Sequence, residues 1–298
     1  MSELNGAAMS AIYSRGMIAN LNIGQWNGSR IDRDLTNEVH ANHGMKESAG
    51  KYVKQLLPVE FFAPIQKVVS AARAEHIALT LPWLNNGGRI LSVKAHDTYT
   101  ARIAALETEF KSAVQDRANV LPSAIDQARV ILNGSFDATV YPTQDGFKRR
   151  YSWNVGLFPI PRGADFRVEL GDAQCDAIRA DIERSSQASL NAAIADVYVR
   201  VGKVVSAMVE RLQGYKPGSE KERASGAFHA SLVENIRDLA GLIPALNIAD
   251  DSRLTSLSDR LLRELCEHDA KALKDSDNLR IGTAAKAQAI LSDISSFM

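Results

Sequence analysis

Three consecutive cations stand between aromatic residues in the segment FKRRYSW at 147–153. Cations that neutralise phosphates and aromatic rings that stack on bases are together typical of proteins that bind single-stranded nucleic acid. The candidate nucleic-acid-binding residues are Lys148, Arg149, Arg150, Tyr151, Trp153, Arg162 and Arg167. A second interpretation stays open, in which Tyr151 and Trp153 face the core and Arg150 faces water on an edge strand.

The charge of the whole chain argues against a uniformly basic binding surface. The 298 residues include 35 Lys and Arg and 35 Asp and Glu, so the formal net charge is zero. Residues 61–170 carry 13 cations against 10 acidic residues, and residues 217–298 carry 10 against 13. A slightly basic middle and a slightly acidic C-terminal third would suit head-to-tail association between copies of the chain.

His40 and His43 are the weak candidates for a metal site. They are three residues apart on a predicted helix, a spacing that places both rings on one face. Asp34 and Glu38 are close enough in sequence to complete a mixed ligand set. A solvated or helix-capping histidine pair is the alternative, and no zinc-protease HExxH pattern is present in the sequence.

The sequence contains none of the motifs that mark nucleotide binding or nucleophilic catalysis. It has no GxxxxGK[ST] loop, no GxGxxG after a strand and no GxSxG elbow. The acidic pairs at 250–251 and 275–277 fall at predicted helix starts, where capping explains them. The sequence therefore predicts a protein that is not an enzyme and that has no cofactor.

Hydrophobic periodicity predicts a mainly α protein with a small antiparallel β element, an α+β fold whose long helices form an elongated bundle. Alternating residues predict a strand at 17–23 and a hairpin with strands at 149–157 and 165–170, whereas 81–89 is typical of a loop. The predicted helices are 3–15, 32–42, 47–57, 58–79, 94–120, one that opens at Pro122 and ends at Asn133-Gly134, 172–212, 220–246, 251–273 and 278–297.

These patterns predict three regions. Residues 1–171 form an N-terminal helical region with an inserted hairpin at about 147–170, residues 172–216 a long connecting helix, and residues 217–298 a C-terminal helical bundle or arm. A rod of about 40 helical residues would be roughly 60 Å long. Helices of that length favour packing against another subunit, so we expect a homo-oligomer.

The expected compartment is the cytoplasm. Cys175 and Cys266 are isolated from each other and from any metal-binding motif, which is typical of free thiols in a reducing compartment. The N-terminal residues do not have the pattern of a signal peptide. No apolar run approaches the ~18 residues needed to cross a bilayer, so no membrane partner is expected.

Short motifs in the first half of the chain resemble a protein family of unknown function from tailed phages and prophages. They are LNIGQWNGSRIDR at 21–33, HG at 43–44, AGKYVK at 49–54, TLPW at 80–83, RIL at 89–91, YP at 141–142, PIP at 159–161 and DFRV at 165–168. The resemblance spans about residues 17–171. It implies a phage context, and because some members are encoded near MoxR-type AAA+ ATPases, it suggests such an ATPase as a partner.

Two functions from different classes follow. The first is a non-enzymatic, phage-encoded, oligomeric adaptor or assembly protein of the infected bacterial cell, whose partners are itself and a phage or host protein. The alternative is a single-stranded nucleic-acid-binding protein of phage replication or recombination that uses the basic and aromatic hairpin at 147–167.

Overall fold

The fold is that of a computed structural model, which describes residues 10, 12–84, 87–166, 171–217 and 225–297. Long helices dominate it, and four of the strands form a small antiparallel sheet. The prediction of a mainly α protein with a small β element is therefore confirmed.

The helices mostly begin and end where the sequence provides caps. For α1, the Asp32 carboxylate accepts a hydrogen bond from the Leu35 amide, and Gly44 ends the helix in the left-handed conformation, with φ of 61°. Helices α1 to α9 are Arg33–His43, Val59–Leu79, Val93–Leu132, Gln144–Lys148, Asp172–Gly214, Ser231–Leu246, Ser252–Arg260, Ala270–Asp275 and Asp277–Ile294. Residues 12–15 are also helical, and Leu261–Leu265 form a π-helical turn.

The strands form two sheets. Strands β1 to β6 are Gly16–Gly24, Ser29–Ile31, Val53–Gln55, Leu81–Pro82, Arg89–Ser92 and Ser152–Phe158. One sheet has the order β4-β5-β1-β6, and the other consists of β2 and β3. In the second sheet Ser29 pairs with Gln55, Arg30 with Lys54 and Ile31 with Val53, in antiparallel register.

The contacts group the chain into two compact units. Unit 1 contains residues 1–20, 77–99 and 156–298, and unit 2 contains residues 21–76 and 100–155. Each unit is thus assembled from separate segments of the sequence, whereas the regions 1–171, 172–216 and 217–298 predicted above are contiguous.

Unit 1 has an aliphatic core built along α5. Val197, Val201, Val205 and Met208 recur at helical spacing on its buried face. They belong to one cluster with buried residues of α6, α7 and α9 that include Ile236, Ala240, Ile243, Leu254, Leu257, Ala287 and Ile290. Because most of the stability of a helix in a protein comes from packing of its apolar face, this burial supplies the main stabilisation of α5.

Two arginines cap the C-terminal end of α2 within unit 1. Arg200 donates to the carbonyl oxygens of Ala78 and Thr80 at 3.0 and 2.8 Å, and it also pairs with Asp196. Arg89 donates to the hydroxyl and carbonyl oxygens of Thr80 at 2.7 and 3.0 Å. Burial and the neighbouring Arg200 charge lower the pKa of Arg89. The carbonyl groups at the helix end, which carry partial negative charge, explain why two cations are placed there.

Unit 2 has an aromatic core around Phe147. This side chain is fully buried, and its ring contacts Phe61 and Trp26 edge to face, with centroids 5.9 Å apart in both pairs. The ring centroid of Tyr151 lies 4.9 Å from that of Phe147. Aromatic pairs in such arrangements add to the free energy that simple burial provides.

Some predicted elements were wrong. Residues 47–57 are not a helix, because Glu47–Ala49 form only a 3₁₀ turn and β3 takes hydrogen bonds from β2 instead. No new helix opens at Pro122, which lies within α3. Proline removes one donor there but has a helical φ, and the buried stripe continues through Leu121 to Ala128.

The loop predicted at 81–89 is interrupted by strand residues. Leu81–Pro82 form β4, Arg89 begins β5, and Leu84 and Gly87 take positive φ values of 50° and 82° between them. The predicted second strand of the hairpin is also wrong where it is described. Gly163–Asp165 form a 3₁₀ turn, because the Asp165 carboxylate accepts from the Arg162 amide at 3.2 Å. Residues 167–170 of that strand lie outside the described residues, and β6 is placed next to β1.

Candidate functional site

The basic and aromatic segment at 147–153 is held by contacts inside unit 2. Lys148 ends α4 and pairs with Asp145 at 2.8 Å. The Arg150 guanidinium carbon lies 4.4 Å from the centroid of the Trp26 ring. Arg149 follows α4 and is exposed. One of the three consecutive cations therefore stacks on a ring of the protein itself.

The two aromatic residues of this segment are not free platforms for bases. The Tyr151 hydroxyl donates to the Trp26 carbonyl at 3.2 Å, and the Tyr151 ring contacts Phe110. Burial raises the pKa of the Tyr151 hydroxyl, and the smaller effect of the Arg150 charge lowers it. Trp153 packs against Phe110 with ring centroids 5.2 Å apart. These contacts agree with the part of the second interpretation in which both rings face the core, whereas Arg150 precedes β6 and is not on a strand.

The remaining candidates of this set are placed elsewhere. Arg162 belongs to unit 1, where its guanidinium carbon lies 4.7 Å from the Tyr13 ring centroid. Arg167 lies outside the described residues. The structure thus places Lys148, Arg149, Arg150, Tyr151 and Trp153 in unit 2 and Arg162 in unit 1.

Unit 2 contains an open polar cleft of about 1120 Å³. Its sides are α1, the β2–β3 sheet and the segment that follows α3. Its charged lining residues are Arg30, Arg33, Lys51, Lys54, Asp32, Asp34, Glu38, Glu47 and Asp137. Four cations therefore face five carboxylates, which leaves the cleft close to neutral.

Lys54 connects the two sides of the cleft. Its ammonium group forms an ion pair with Asp32 and donates to the Ser135 carbonyl at 2.9 Å. The hydrogen bond from Lys54, followed by that from the Leu35 amide, lowers the pKa of Asp32. This one side chain fixes the start of α1 to the segment after α3.

Arg30 lies opposite Lys54 on the same face of the two-stranded sheet. Such a pair of like charges is unfavourable unless anions lie nearby. Asp137 supplies one, since its pKa is lowered first by hydrogen bonds from Thr139 and then by the charges of Arg30 and Lys54. In this part of the cleft the charges of Arg30 and Lys54 are therefore offset by the nearby carboxylates of Asp32 and Asp137.

The two histidines have different surroundings. His40 is 8% exposed, and its Nε2 lies 3.1 Å from the Gly50 carbonyl, to which it can donate only as the Nε2–H form. Its Nδ1 is buried without a hydrogen-bond partner in the described part of the chain. His43 is exposed in the last turn of α1. Within the described residues, no three His, Cys, Asp or Glu side chains are grouped as metal ligands.

The other face of the β2–β3 sheet carries exposed apolar residues. Ile31 and Val53 are cross-strand partners and are 46% and 57% exposed. We call Ile31 and Val53 the β2–β3 patch. Neither the patch nor the cleft was predicted, because residues 47–57 were assigned to a helix. The alternation of Tyr52, Lys54 and Leu56 with Lys51, Val53 and Gln55 was the available signal for a strand.

No protein-family model, curated protein or solved structure matches the chain. Among the described residues, no helix combines the length and the apolar character needed to cross a membrane.

Proposed function

We propose that this chain is a non-enzymatic, phage-encoded adaptor or assembly protein that forms homo-oligomers and acts through protein–protein contacts in the cytoplasm of the infected cell. The observation that supports this function best is the β2–β3 patch, where Ile31 and Val53 present apolar surface on a short sheet.

Two features distinguish this patch from ordinary scattered apolar exposure. Ile31 and Val53 are direct partners across the sheet, so their side chains form one continuous surface. Among the described residues this sheet has only two strands, which leaves an outer edge on each of them. Adjacent apolar side chains at a sheet edge are typical of a site that another protein covers.

The internal contacts of the 147–153 segment favour this function over nucleic-acid binding. Stacking on bases requires accessible ring faces. The rings of Tyr151 and Trp153 instead pack against Phe110, and Arg150 stacks on Trp26. Within residues 147–153, the alternative function would have to rely on Arg149 and Lys148, the latter already paired with Asp145.

Light scattering on the purified chain and capture from infected cells test the proposal together. We expect a mass that is a multiple of 32.5 kDa at micromolar concentration. We also expect one phage or host protein to be cross-linked to the chain in stoichiometric amount. The phage resemblance suggests an AAA+ ATPase as a candidate for this partner. The matched control is a Val53→Lys chain, which places a charge on the patch. A monomeric wild-type chain with no stoichiometric partner would overturn the proposal.

Salt-dependent binding of labelled single-stranded DNA would favour the alternative function. A shift at low salt that is lost in an Arg149→Ala and Lys148→Ala double variant would identify these cations as phosphate contacts. We expect no shift at low salt.

A further inference from the structure

We propose that the outer edge of β3 pairs with β3 of a second copy of the chain, in antiparallel orientation across a two-fold axis. The two-stranded β2–β3 sheets of the two copies would then form one four-stranded sheet with the order β2-β3-β3-β2. This inference rests on the proposed oligomeric function and names the surface that forms the oligomer.

The hydrogen bonds within the sheet show which backbone groups point outward. The Asp32 amide donates to the Tyr52 carbonyl at 3.0 Å, and the Leu56 amide donates to the Gly28 carbonyl at 2.7 Å. In an antiparallel pair the bonded positions alternate along each strand. The N–H and C=O groups of Val53 and Gln55 therefore face away from β2.

The outer edge of β3 is more open than that of β2. On β2, the outward amide of Ser29 already donates to the Asn27 side chain at 3.1 Å. For the outward backbone groups of Val53 and Gln55, no partner exists among the residues that the structure describes. Both residues are exposed. An unpaired edge of this kind is a template for another strand.

A two-fold register centred on Val53 satisfies these groups and matches the side chains. Val53 of one copy would exchange both backbone hydrogen bonds with Val53 of the other, at a Cα separation of roughly 5.5 Å. The exposed Val53 and Ile31 side chains would then form one apolar surface from both copies. Centring on Lys54 would instead place two ammonium groups opposite each other, which is unfavourable.

The charges around the β2–β3 sheet favour a second copy over a differently charged partner. A two-fold interface brings each patch against its own copy, so a strongly charged patch would repel itself. Here four cations and five carboxylates surround the cleft, namely Arg30, Arg33, Lys51, Lys54 and Asp32, Asp34, Glu38, Glu47, Asp137. The chain as a whole has zero formal net charge, so no long-range repulsion opposes association.

A proline substitution tests the pairing without removing a hydrogen bond inside the protein. Val53→Pro deletes an outward N–H, which an edge strand tolerates. Val53→Ala keeps the N–H and is the matched control. Light scattering should give twice the chain mass of 32.5 kDa for the wild type and for Val53→Ala. It should give the mass of one chain for Val53→Pro. Circular dichroism checks that Val53→Pro keeps its helices.

A cysteine variant tests the same register in a chain that retains its backbone donors. In Val53→Cys, the two thiols of a dimer are close enough for a disulfide, since Cα separations of roughly 4.4–6.8 Å permit one. Oxidised glutathione should convert this variant to a covalent dimer, while Val130→Cys, at a site that is 80% exposed on α3, should remain uncoupled. Equal cross-linking of both variants would overturn the register.

The outcomes separate this inference from the proposed function. An oligomeric wild type whose mass Val53→Pro leaves unchanged would overturn the β3 pairing and leave the oligomeric function intact. A monomeric wild type would overturn both. We expect the wild type to be a dimer and Val53→Pro to have half its mass. We also expect Val53→Cys, but not Val130→Cys, to form a covalent dimer.

Discussion

The guanidinium of Arg150 lies over the indole ring of Trp26, with its central carbon 4.4 Å from the ring centroid. The next residue along the chain holds the same tryptophan, because the Tyr151 hydroxyl donates to the Trp26 carbonyl. The segment that resembles a nucleic-acid platform in sequence thus secures the turn before β2. The same residue types that bind nucleic acid in one protein can instead form cation–π contacts inside another.

Arg150→Ala should lower the free energy of unfolding by about 0.5–1 kcal/mol, the usual worth of a cation–π contact at an exposed site. Arg149→Ala is the control, since the described residues give that exposed side chain no ring contact or ion pair. Urea unfolding followed by tryptophan fluorescence measures both. Equal losses in the two variants would contradict a specific role for the Arg150–Trp26 contact.

Gly28→Ala should destabilise the protein more than Gly44→Ala. Both glycines have positive φ, 70° and 61°, so each substitution introduces left-handed strain of about 1–2 kcal/mol. A Cβ on Gly28 would also lie 2.5 Å from Cζ of Phe62, whereas nothing lies within 4 Å of one on Gly44. Overpacking adds about 1–3 kcal/mol. Thermal unfolding of the two variants checks the order, and a reversed order would show that the Phe62 ring moves aside freely.

The Asp32–Lys54 ion pair should contribute stability that depends on pH. The pKa of Asp32 in the folded protein is lowered from its ordinary value of 3.8, mainly by the hydrogen bond from Lys54. A lowered carboxyl pKa stabilises the fold above the ordinary value, and this contribution is lost as pH falls through the folded value. Asp32→Asn should therefore be less stable than the wild type at pH 7, and the difference should shrink below pH 3.8.

The control for this prediction is the Lys54→Gln background. Because the main cause of the lowered Asp32 pKa is then absent, Asp32→Asn should show a weaker pH dependence there. A double-mutant cycle at pH 7 and at acid pH measures the coupling. A coupling that does not change with pH would contradict the ion-pair origin.

Arg200→Lys should destabilise unit 1 nearly as much as Arg200→Met. The guanidinium donates from two nitrogens to the carbonyls of Ala78 and Thr80, a fork that a single ammonium cannot reproduce. Hydrogen bonds to charged groups are worth about 1.5–3 kcal/mol. Chemical unfolding followed by circular dichroism checks the effect. Full stability in Arg200→Lys would show that charge alone caps the helix.

The sequence was informative wherever local chemistry decides the structure. Asp32 and Gly44 are standard caps and locate α1, and alternating residues locate β1. The proline-free stretch that begins at Asp172 predicted α5 almost to its end. In these elements the capping groups and the hydrophobic period both lie within the segment itself.

The sequence was misleading where distant contacts decide. Residues 53–55 become a strand only because β2 pairs with them. Pro122 stays inside α3 because the buried face continues beyond it. The side chains of the 147–153 segment contact Trp26 and Phe110, which are distant in sequence, so their burial could not be predicted from the segment alone. Lys54 and Ser135 meet across the cleft at a separation of 81 residues, which no local pattern encodes.

Unit 2 is built from two segments, 21–76 and 100–155, with residues 77–99 of unit 1 between them. No single cut in the chain can release either unit whole, and neither unit can be made from one uninterrupted stretch of the gene. Deletion mapping from either terminus would remove part of a unit before it reached the next.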